Sequence, residues 1–231
     1  MSAQIKLVDV VDARIHSFLE ARSEEMDIIS PDLEHILAYA NSMLRSGKRF
    51  RARFCYWGWR SIAQSSDADP LGGVETLEDA SPVIALATSL EVFHAAALVH
   101  DDIMDNSPLR RGQETVHIKW DDATAILSGD LLQIEVYEKL AEVGNVEILK
   151  LFNAMGRELC EGQMNDMQFE QMDVVSNADY LDMIRQKTAV LLGFSLQAGA
   201  LLGGASAQEG KQLYDLGISI GLSFQLMDDY L

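Results

Sequence analysis

The sequence has few cysteines, few prolines and half as many basic as acidic residues. Its two cysteines, Cys55 and Cys160, form no CxxC pair, which argues against a disulfide framework or structural zinc and favours a reducing, cytoplasmic location. With 36 acids against 18 Lys and Arg, the net charge is −18, so no nucleic-acid partner is expected. The most apolar stretch, residues 190–204, contains Ser195 and Gln197 and is short for a bilayer, so no transmembrane segment is expected.

Alternating Val/Ile/Thr-rich runs are also missing, while Ala, Leu, Met and Glu are abundant. With four prolines and 48% hydrophobic residues, this composition predicts an all-α protein with little or no sheet. Helical periodicity and capping signals predict a first helix around Val8–Leu19 and a third after the basic run at 48–51. The other predicted helices cover about 30–46, 81–105, 121–142, 146–172, 178–203 and 208–231, with a loop at 65–80 and a basic connection at 106–119. No linker divides the chain, so residues 1–231 are predicted to form a single domain.

The end of the 81–105 helix carries three carboxylates, Asp101, Asp102 and Asp105. Asp101 and Asp105 lie one helical turn apart and point the same way, and Asp102 lies about 100° around the helix. Three carboxylates near one helix end can hold Mg²⁺, which prefers oxygen ligands and keeps waters and substrate phosphates. The alternative is an exposed acidic helix end, which would oppose the helix dipole.

The residues before this cluster are apolar on nearly every side, as in a buried helix. Burying an unpaired carboxylate costs several kcal/mol, so the acids require a partner. A second pair, Asp228–Asp229, also closes an apolar helix. Two such helix ends facing each other could bind metal ions on opposite sides of one diphosphate.

Basic residues gather near these acids. Lys48, Arg49 and Arg51 follow Gly47 at a predicted helix start, a position that already suits anions, and Arg110 and Arg111 come just after the first cluster. As isolated patches these residues would more often be solvated turns. Beside acidic clusters in so acidic a chain, they indicate anion sites.

Taken in order, these features resemble the trans-isoprenyl diphosphate synthases, the polyprenyl synthetase family, and are similar to geranylgeranyl diphosphate synthases. The resemblance spans essentially the whole chain from Gly47 onward. The matching motifs are Gly47-Lys48-Arg49-x-Arg51, Glu91-x-x-His94, His100-Asp101-Asp102-x-x-Asp105, Arg110-Arg111-Gly112, Thr115-Val116-His117, Gly129-Asp130-Leu131-Leu132, Gly162-Gln163-x-x-Asp166, Lys187-Thr188 and Phe224-Gln225-x-x-Asp228-Asp229.

The resemblance implies an antiparallel helical bundle around a deep central cavity, and a role for each matched residue. It implies that up to three Mg²⁺ ions are held by Asp101, Asp102, Asp105 and Asp228, which with Lys187 form the catalytic set. The implied contacts to the allylic diphosphate are Arg110, Lys187, Thr188 and Gln225. The implied pocket for isopentenyl diphosphate consists of Lys48, Arg51, His94 and Arg111. Gln163 and Asp166 are expected to line the cavity near the reacting carbons.

The implied reaction joins isopentenyl diphosphate head-to-tail to an allylic prenyl diphosphate after Mg²⁺-assisted ionisation. Ala96 and Ala97, just before the first aspartate motif, are small where a bulky aromatic would stop growth near C15, and Phe93 could form a floor. A product of C20 (geranylgeranyl) or longer is therefore expected. The resemblance also implies a homodimer.

The sequence departs from the family pattern at Gln133–Tyr137 and ends at Leu231, within the second aspartate motif. We therefore expect the chain to be a C-terminally truncated fragment or ordered portion of a longer protein; the alternative is a catalytically impaired chain. Three other functions remain open: a non-catalytic partner subunit of a heteromeric synthase, a class I terpene cyclase, and a di-iron carboxylate bundle. A cyclase would not need a second diphosphate site, and a di-iron site requires two Glu-x-x-His motifs where this chain has one.

Overall fold

The computed structural model describes residues 7–29, 44, 47–63 and 77–230, and nearly all of them are helical. The helices are α1 (Leu7–Ile29), α2 (Phe50–Ala63), α3 (Leu77–Met104), α4 (Val116–Lys119), α5 (Asp122–Val143), α6 (Val146–Phe169), α7 (Asn177–Ile184), α8 (Val190–Leu202) and α9 (Ala207–Tyr230). A π-helical turn, Arg185–Ala189, joins α7 to α8. The strands β1 (Leu109–Arg110) and β2 (Gln113–Glu114) pair as a short antiparallel hairpin. The all-α prediction is confirmed.

Several predicted boundaries differ from the structure. The predicted helix over 30–46, apart from Leu44, and most of the predicted loop over 65–80 lie outside the described residues. Helix α3 begins at Leu77, so the predicted start at Ser81–Pro82 is wrong: Pro82 lies inside the helix, where it removes one backbone hydrogen bond. Helix α6 ends at Phe169, three residues before the predicted end. The single helix predicted over 178–203 is interrupted by the π-helical turn.

Other boundaries follow from capping chemistry that the sequence displays. The Oδ1 atom of Asn145 accepts hydrogen bonds from the backbone N–H groups of Glu147 (3.0 Å) and Ile148 (3.2 Å), which fixes the start of α6. The Oγ atom of Ser176 accepts from the N–H of Asp179 at 3.1 Å, which fixes the start of α7. The predicted breaks near Gly144 and Ser176 are confirmed.

The chain divides into two compact units. The first comprises the described residues of 1–52 and 71–143, and the second those of 53–70 and 144–231. The prediction of a single domain with a deep central cavity stays a prediction.

In the first unit, α3 packs against α5 and α1 packs against α3. Leu86, Leu90 and Val92 on α3 are fully buried, as predicted from its all-round apolar sequence. A Cβ atom at Gly129 on α5 would collide with the imidazole of His100, so this glycine allows α5 to approach the end of α3 that carries the aspartates.

In the second unit, α8 packs against α9 through small residues. A Cβ atom at Gly217 would lie 2.6 Å from the Cα of Gly193, so neither helix could approach so closely with a larger residue there. On another side of α8, the Phe194 ring meets that of Phe152 with centroids 5.9 Å apart.

One described helical segment, Pro82–Met104, is long and apolar enough to cross a membrane by length and composition alone. It is not the 190–204 stretch that the sequence analysis singled out. Of its most apolar window, 78% is buried inside the protein, the pattern of a core helix.

Candidate active site

The first aspartate cluster lies where α3 ends. Helix α3 closes in a Schellman motif: the N–H of Ser107 bonds to the carbonyl of Asp102 at 2.9 Å, and the N–H of Asn106 to that of Ile103 at 3.2 Å. Asn106 adopts the left-handed conformation (φ 49°) that this motif requires. The chain therefore turns sharply just after Asp105, towards the hairpin.

The hairpin brings Arg110 onto the aspartates. The Nε atom of Arg110 donates to Oδ1 of Asp102 at 2.6 Å, and its Nη2 atom lies 3.6 Å from Oδ2 of Asp101. Asp102 is only 1% exposed, and its Oδ2 atom is buried without a hydrogen-bond partner. Burial raises the pKa of Asp102 and the bonded Arg110 opposes that rise. Asp105, by contrast, is exposed.

A tight turn between the strands positions Arg111. Arg111 (φ 53°) and Gly112 (φ 80°) both adopt left-handed conformations, as in a type I′ turn. A Cβ atom at Gly47 would lie 3.8 Å from Nη1 of Arg111. The guanidinium therefore lies against Gly47, the first residue of the basic segment, residues 47–51.

Three cationic or titratable residues of this unit form a positively charged pocket: Arg51 and His94 are half-buried, and Arg111 is exposed at its edge. Burial lowers the pKa of Arg51 to about 10, Glu91 opposes this, and Arg111 lowers it further. Burial lowers the pKa of His94 well below its usual value, and Arg51, Arg111, Arg110 and Arg49 lower it further, so His94 is neutral at pH 7. The Nε atom of Arg51 is buried without a hydrogen-bond partner. Such a pocket favours an anion.

Lys48 differs from these residues. It is exposed, and its Nζ atom lies 5.8 Å from the centroid of the Phe50 ring.

The residues expected to set product length lie on α3, before the aspartate cluster. Ala96 is fully buried, Phe93 is 8% exposed and Ala97 is half-buried.

In the second unit, the π-helical turn brings two predicted residues to partners on other helices. The Nζ atom of Lys187 lies 2.5 Å from Oδ2 of Asp166 on α6. The Oγ1 atom of Thr188 donates to Oε1 of Gln225 on α9 at 3.0 Å. Gln163, also on α6, is 8% exposed, and its Nε2 atom is buried without a partner.

Gly162 explains how α6 approaches this turn. A Cβ atom at Gly162 would lie 2.5 Å from the backbone nitrogen of Lys187 and 2.8 Å from the carbonyl carbon of Gln186. No side chain larger than hydrogen fits between these backbones. The glycine of the Gly162-Gln163-x-x-Asp166 motif therefore sets the distance across which Lys187 and Asp166 meet.

The second aspartate pair ends a hydrogen-bond chain on α9. The Nε2 atom of Gln225 donates to Oδ1 of Asp229 at 2.8 Å, and the hydroxyl of Tyr180 on α7 donates to Oδ2 of the same carboxylate. This bond is the main cause that raises the pKa of Tyr180 to about 12. Asp228, the predicted ligand, is exposed. Sequence reasoning missed Tyr180, because nothing in its local pattern points to a partner 49 residues away.

A magnesium site can be tested against the donors present. Among the described residues, no cluster of three or more His, Cys, Asp or Glu is already arranged to hold a metal ion. The first cluster nonetheless fits a hard cation, because its donors are carboxylate oxygens and one of them, Oδ2 of Asp102, is buried without a partner. The first aspartate motif lies in the first unit and the second in the other, so their predicted juxtaposition stays a prediction.

The chain is similar to known proteins over nearly its whole length. Residues 33–231 match the family model described as polyprenyl synthetase. A geranylgeranyl diphosphate synthase of Saccharolobus solfataricus is 33% identical over 98% of this chain, and one of Methanosarcina mazei is 43% identical over 64% of it. The alignments cover 63% and 48% of those two proteins, so the chain spans only about half to two thirds of their length.

A solved structure gives the same result. The geranylgeranyl pyrophosphate synthetase from the archaeon Geoglobus acetivorans superposes with a TM-score of 0.81 and 32% identity, covering 96% of this chain and 67% of that one. This match confirms the predicted isoprenoid-synthase fold class. The chain therefore belongs to the polyprenyl synthetase family.

Proposed function

We propose that this protein is a trans-prenyltransferase that condenses isopentenyl diphosphate with an allylic prenyl diphosphate. One observation carries the proposal: within the first unit, a cationic pocket at Arg51, His94 and Arg111 accompanies the carboxylates that Arg110 contacts. One of these sites is purely basic, and the other can bind a cation that in turn binds an anion. Two such sites suit two diphosphate substrates. The named relatives support the same reaction.

The proposed reaction follows from charge. Arg110, Lys187, Thr188 and Gln225 bind the allylic diphosphate, whose carbon–oxygen bond breaks so that the electron pair leaves with the diphosphate. The double bond of isopentenyl diphosphate then forms a new carbon–carbon bond to the allylic cation. Loss of a proton to the released diphosphate restores a double bond, and the product is an allylic diphosphate five carbons longer.

The second substrate occupies the basic pocket. Lys48, Arg51 and Arg111 supply cations for its diphosphate, and the neutral His94 supplies a ring N–H that can donate to a phosphate oxygen. Asp166 contacts Lys187, and Gln163 lies on the same helix as Asp166; both would border the reacting carbons. None of these side chains needs to act as a nucleophile.

The residues that would hold magnesium are Asp101, Asp102, Asp105 and Asp228. When bound, Mg²⁺ would offset the negative charge that develops on the leaving diphosphate. The chain's own contribution is to keep Asp102 buried and oriented by Arg110.

For product length we propose C20 or longer, as in the two relatives named as geranylgeranyl diphosphate synthases. Ala97 is half-buried, whereas Ala96 is fully buried, so a larger side chain should disturb the core less at Ala97 than at Ala96. Ala97→Phe is therefore expected to shorten the product and Ala96→Phe to disturb packing as well. An unchanged product in both variants would contradict the role of this helix face.

We also propose a cytoplasmic homodimer. Helix α5 supports the dimer, since Leu127, Ile134 and Tyr137 follow each other at helical spacing and are 55%, 64% and 46% exposed. The cytoplasmic location rests on the two free cysteines. Light scattering of the purified protein would test the dimer.

The direct test is incubation of the protein with isopentenyl diphosphate and C5, C10 or C15 allylic primers, with and without Mg²⁺. We expect Mg²⁺-dependent products extended by five-carbon steps, sized by chromatography. Hydrocarbon formed from the allylic substrate alone would favour a terpene cyclase. Turnover only after addition of another synthase chain would favour a partner subunit.

A further inference from the structure

Arg49 differs from the basic residues on either side of it. It is only 3% exposed, whereas Lys48 is exposed. Its Nε atom donates to Oδ1 of Asp12 on α1 at 2.6 Å, its Nη1 atom lies 3.6 Å from Oε2 of Glu91 on α3, and its Nη2 atom donates to the carbonyl of Leu44. Each guanidinium nitrogen thus has a partner within the protein.

The backbone at Arg49 is also unusual. Its φ of 51° lies in the left-handed region, which a long side chain adopts only where the surrounding structure holds it there. The ion pairs to Asp12 and Glu91 supply that support. This conformation sets the direction in which the chain runs from Lys48 into α2, and hence where Arg51 lies.

Glu91 also forms a hydrogen bond to the chain just after the basic segment. It is 5% exposed, and its Oε1 atom accepts a hydrogen bond from the backbone N–H of Ala52 at 3.1 Å. Ala52 lies in the first turn of α2, where backbone N–H groups have no partner within the helix. Arg51 lies between Arg49 and Ala52. His94 follows Glu91 by one turn of α3.

We propose that Asp12, Arg49 and Glu91 form a positioning clamp that orients the basic segment for diphosphate binding without touching the ligand. The clamp rests on the proposed function, in which Lys48 and Arg51 bind isopentenyl diphosphate. It assigns Arg49 a different task from that of its basic neighbours. It also gives a task to the exposed end of the clamp, Asp12, in a helix that carries none of the predicted site residues.

Positioning and simple electrostatics predict opposite results for the two acids. Glu91→Gln and Asp12→Asn each remove a negative charge close to an anion pocket, so electrostatics alone would tighten anion binding. If the acids instead hold Arg49 and the first turn of α2 in place, both substitutions weaken binding. Asp12 is 43% exposed, so its substitution is compatible with folding even if that of buried Glu91 is not.

The test measures binding of inorganic pyrophosphate by calorimetry in Mg²⁺-free buffer. We expect Glu91→Gln and Arg49→Gln to weaken binding about tenfold, as for partners that orient a ligand-binding residue, and Asp12→Asn by less. Arg53→Gln is the matched control, since Arg53 is an exposed arginine of α2 outside the clamp and its loss removes the same charge as Arg49→Gln. Its binding should change little.

Steady-state kinetics separate the clamp from a general structural role. We expect the KM for isopentenyl diphosphate to rise in Asp12→Asn while the KM for the allylic substrate stays unchanged. Unchanged or tighter pyrophosphate binding in Asp12→Asn and Glu91→Gln would overturn the clamp alone. Absence of pyrophosphate binding by the unsubstituted protein would overturn the proposed diphosphate pocket and the clamp with it.

Discussion

The two units hold their candidate site residues in different ways. In the first unit three charged residues are buried and paired: Asp102, Arg49 and Glu91 are 1%, 3% and 5% exposed. In the second, Asp229 is exposed and its carboxylate is held by hydrogen bonds from Tyr180 and Gln225. Breaking a buried ion pair costs far more than breaking an exposed hydrogen bond. We infer that the first unit supplies rigid anion sites and the second a contact that adjusts at low cost.

Asp102→Asn should have the largest effect, and it tests whether the buried charges of the first unit matter as the comparison implies. Loss of the buried carboxylate removes both the partner of Arg110 and the orphan oxygen suited to a cation, so Mg²⁺-dependent turnover should fall about 10²–10³-fold. Asp122→Asn, which changes an exposed carboxylate of α5 outside the matched motifs, is the control and should change turnover little. Near-normal turnover of Asp102→Asn would remove the cluster from the mechanism.

Gly162→Ala tests whether the second unit is as adaptable as the comparison suggests. The added methyl would meet the backbone of Lys187 at 2.5 Å, so we expect turnover to fall about 10–100-fold through displacement of Lys187. Overpacking should lower the free energy of unfolding by about 1–3 kcal/mol. Gly156→Ala on the same helix has nothing within 4 Å and should stabilise the protein slightly. Equal behaviour of the two variants in turnover and denaturant unfolding would refute the role of Gly162.

Arg22→Gln tests how much stability is lost when the buried carboxylate of Glu135 has no cationic partner. This ion pair lies in the first unit, outside the candidate site. The Nε atom of Arg22 lies 2.9 Å from Oε2 of Glu135, which is 4% exposed. At pH 7 we expect a loss of about 2–3 kcal/mol in the free energy of unfolding. Lys150→Gln, which removes an exposed ion pair with Glu147, should have no measurable effect.

The same variant has a predictable pH dependence. Burial raises the pKa of Glu135, and Arg22 opposes that rise, so the pKa is higher still without the arginine. The deficit of Arg22→Gln therefore shrinks as the pH falls through this raised pKa, because the protonated carboxyl needs no cation. Unfolding curves between pH 7 and pH 4 would show it, and a constant deficit would contradict it.

The smallest effect is expected for Tyr180→Phe in the second unit. The lost hydrogen bond to exposed Asp229 should cost about 0.5–1.5 kcal/mol or less. Because that bond raises the pKa of Tyr180 to about 12 from 10, its stabilising effect is present below pH 10 and lost as the pH rises through about 12. An ultraviolet titration should lose one late-titrating tyrosine in Tyr180→Phe but not in Tyr230→Phe, while Tyr214, whose pKa burial also raises, titrates late in both variants. A titration unchanged by Tyr180→Phe would show that the bond does not form.

Local chemistry in the sequence predicted much of the fold. The all-round apolar composition of α3 predicted its burial, and Asn145 and Ser176 marked helix starts. The hairpin at 109–114 and the π-helical turn at 185–189 were not predicted. The hairpin is too short to show alternation, and the π-helical turn depends on the close approach that Gly162 allows between helices distant in sequence.

The candidate site divides in the same way. Residue type and helical spacing brought Asp101, Asp102 and Arg110 to attention, and the structure brings them into contact. The partners of Arg49 lie 37 residues before and 42 residues after it, so nothing in its neighbourhood distinguishes it from Lys48 and Arg51.

The sequence by itself determined the helical class, the acidic and basic clusters and the family, because these depend on residue type, spacing and order. Only the tertiary structure decided which charges are buried and which partners they have. Burial depends on packing between segments far apart in the chain. For that reason two neighbouring arginines, Arg49 and Arg51, could acquire different tasks.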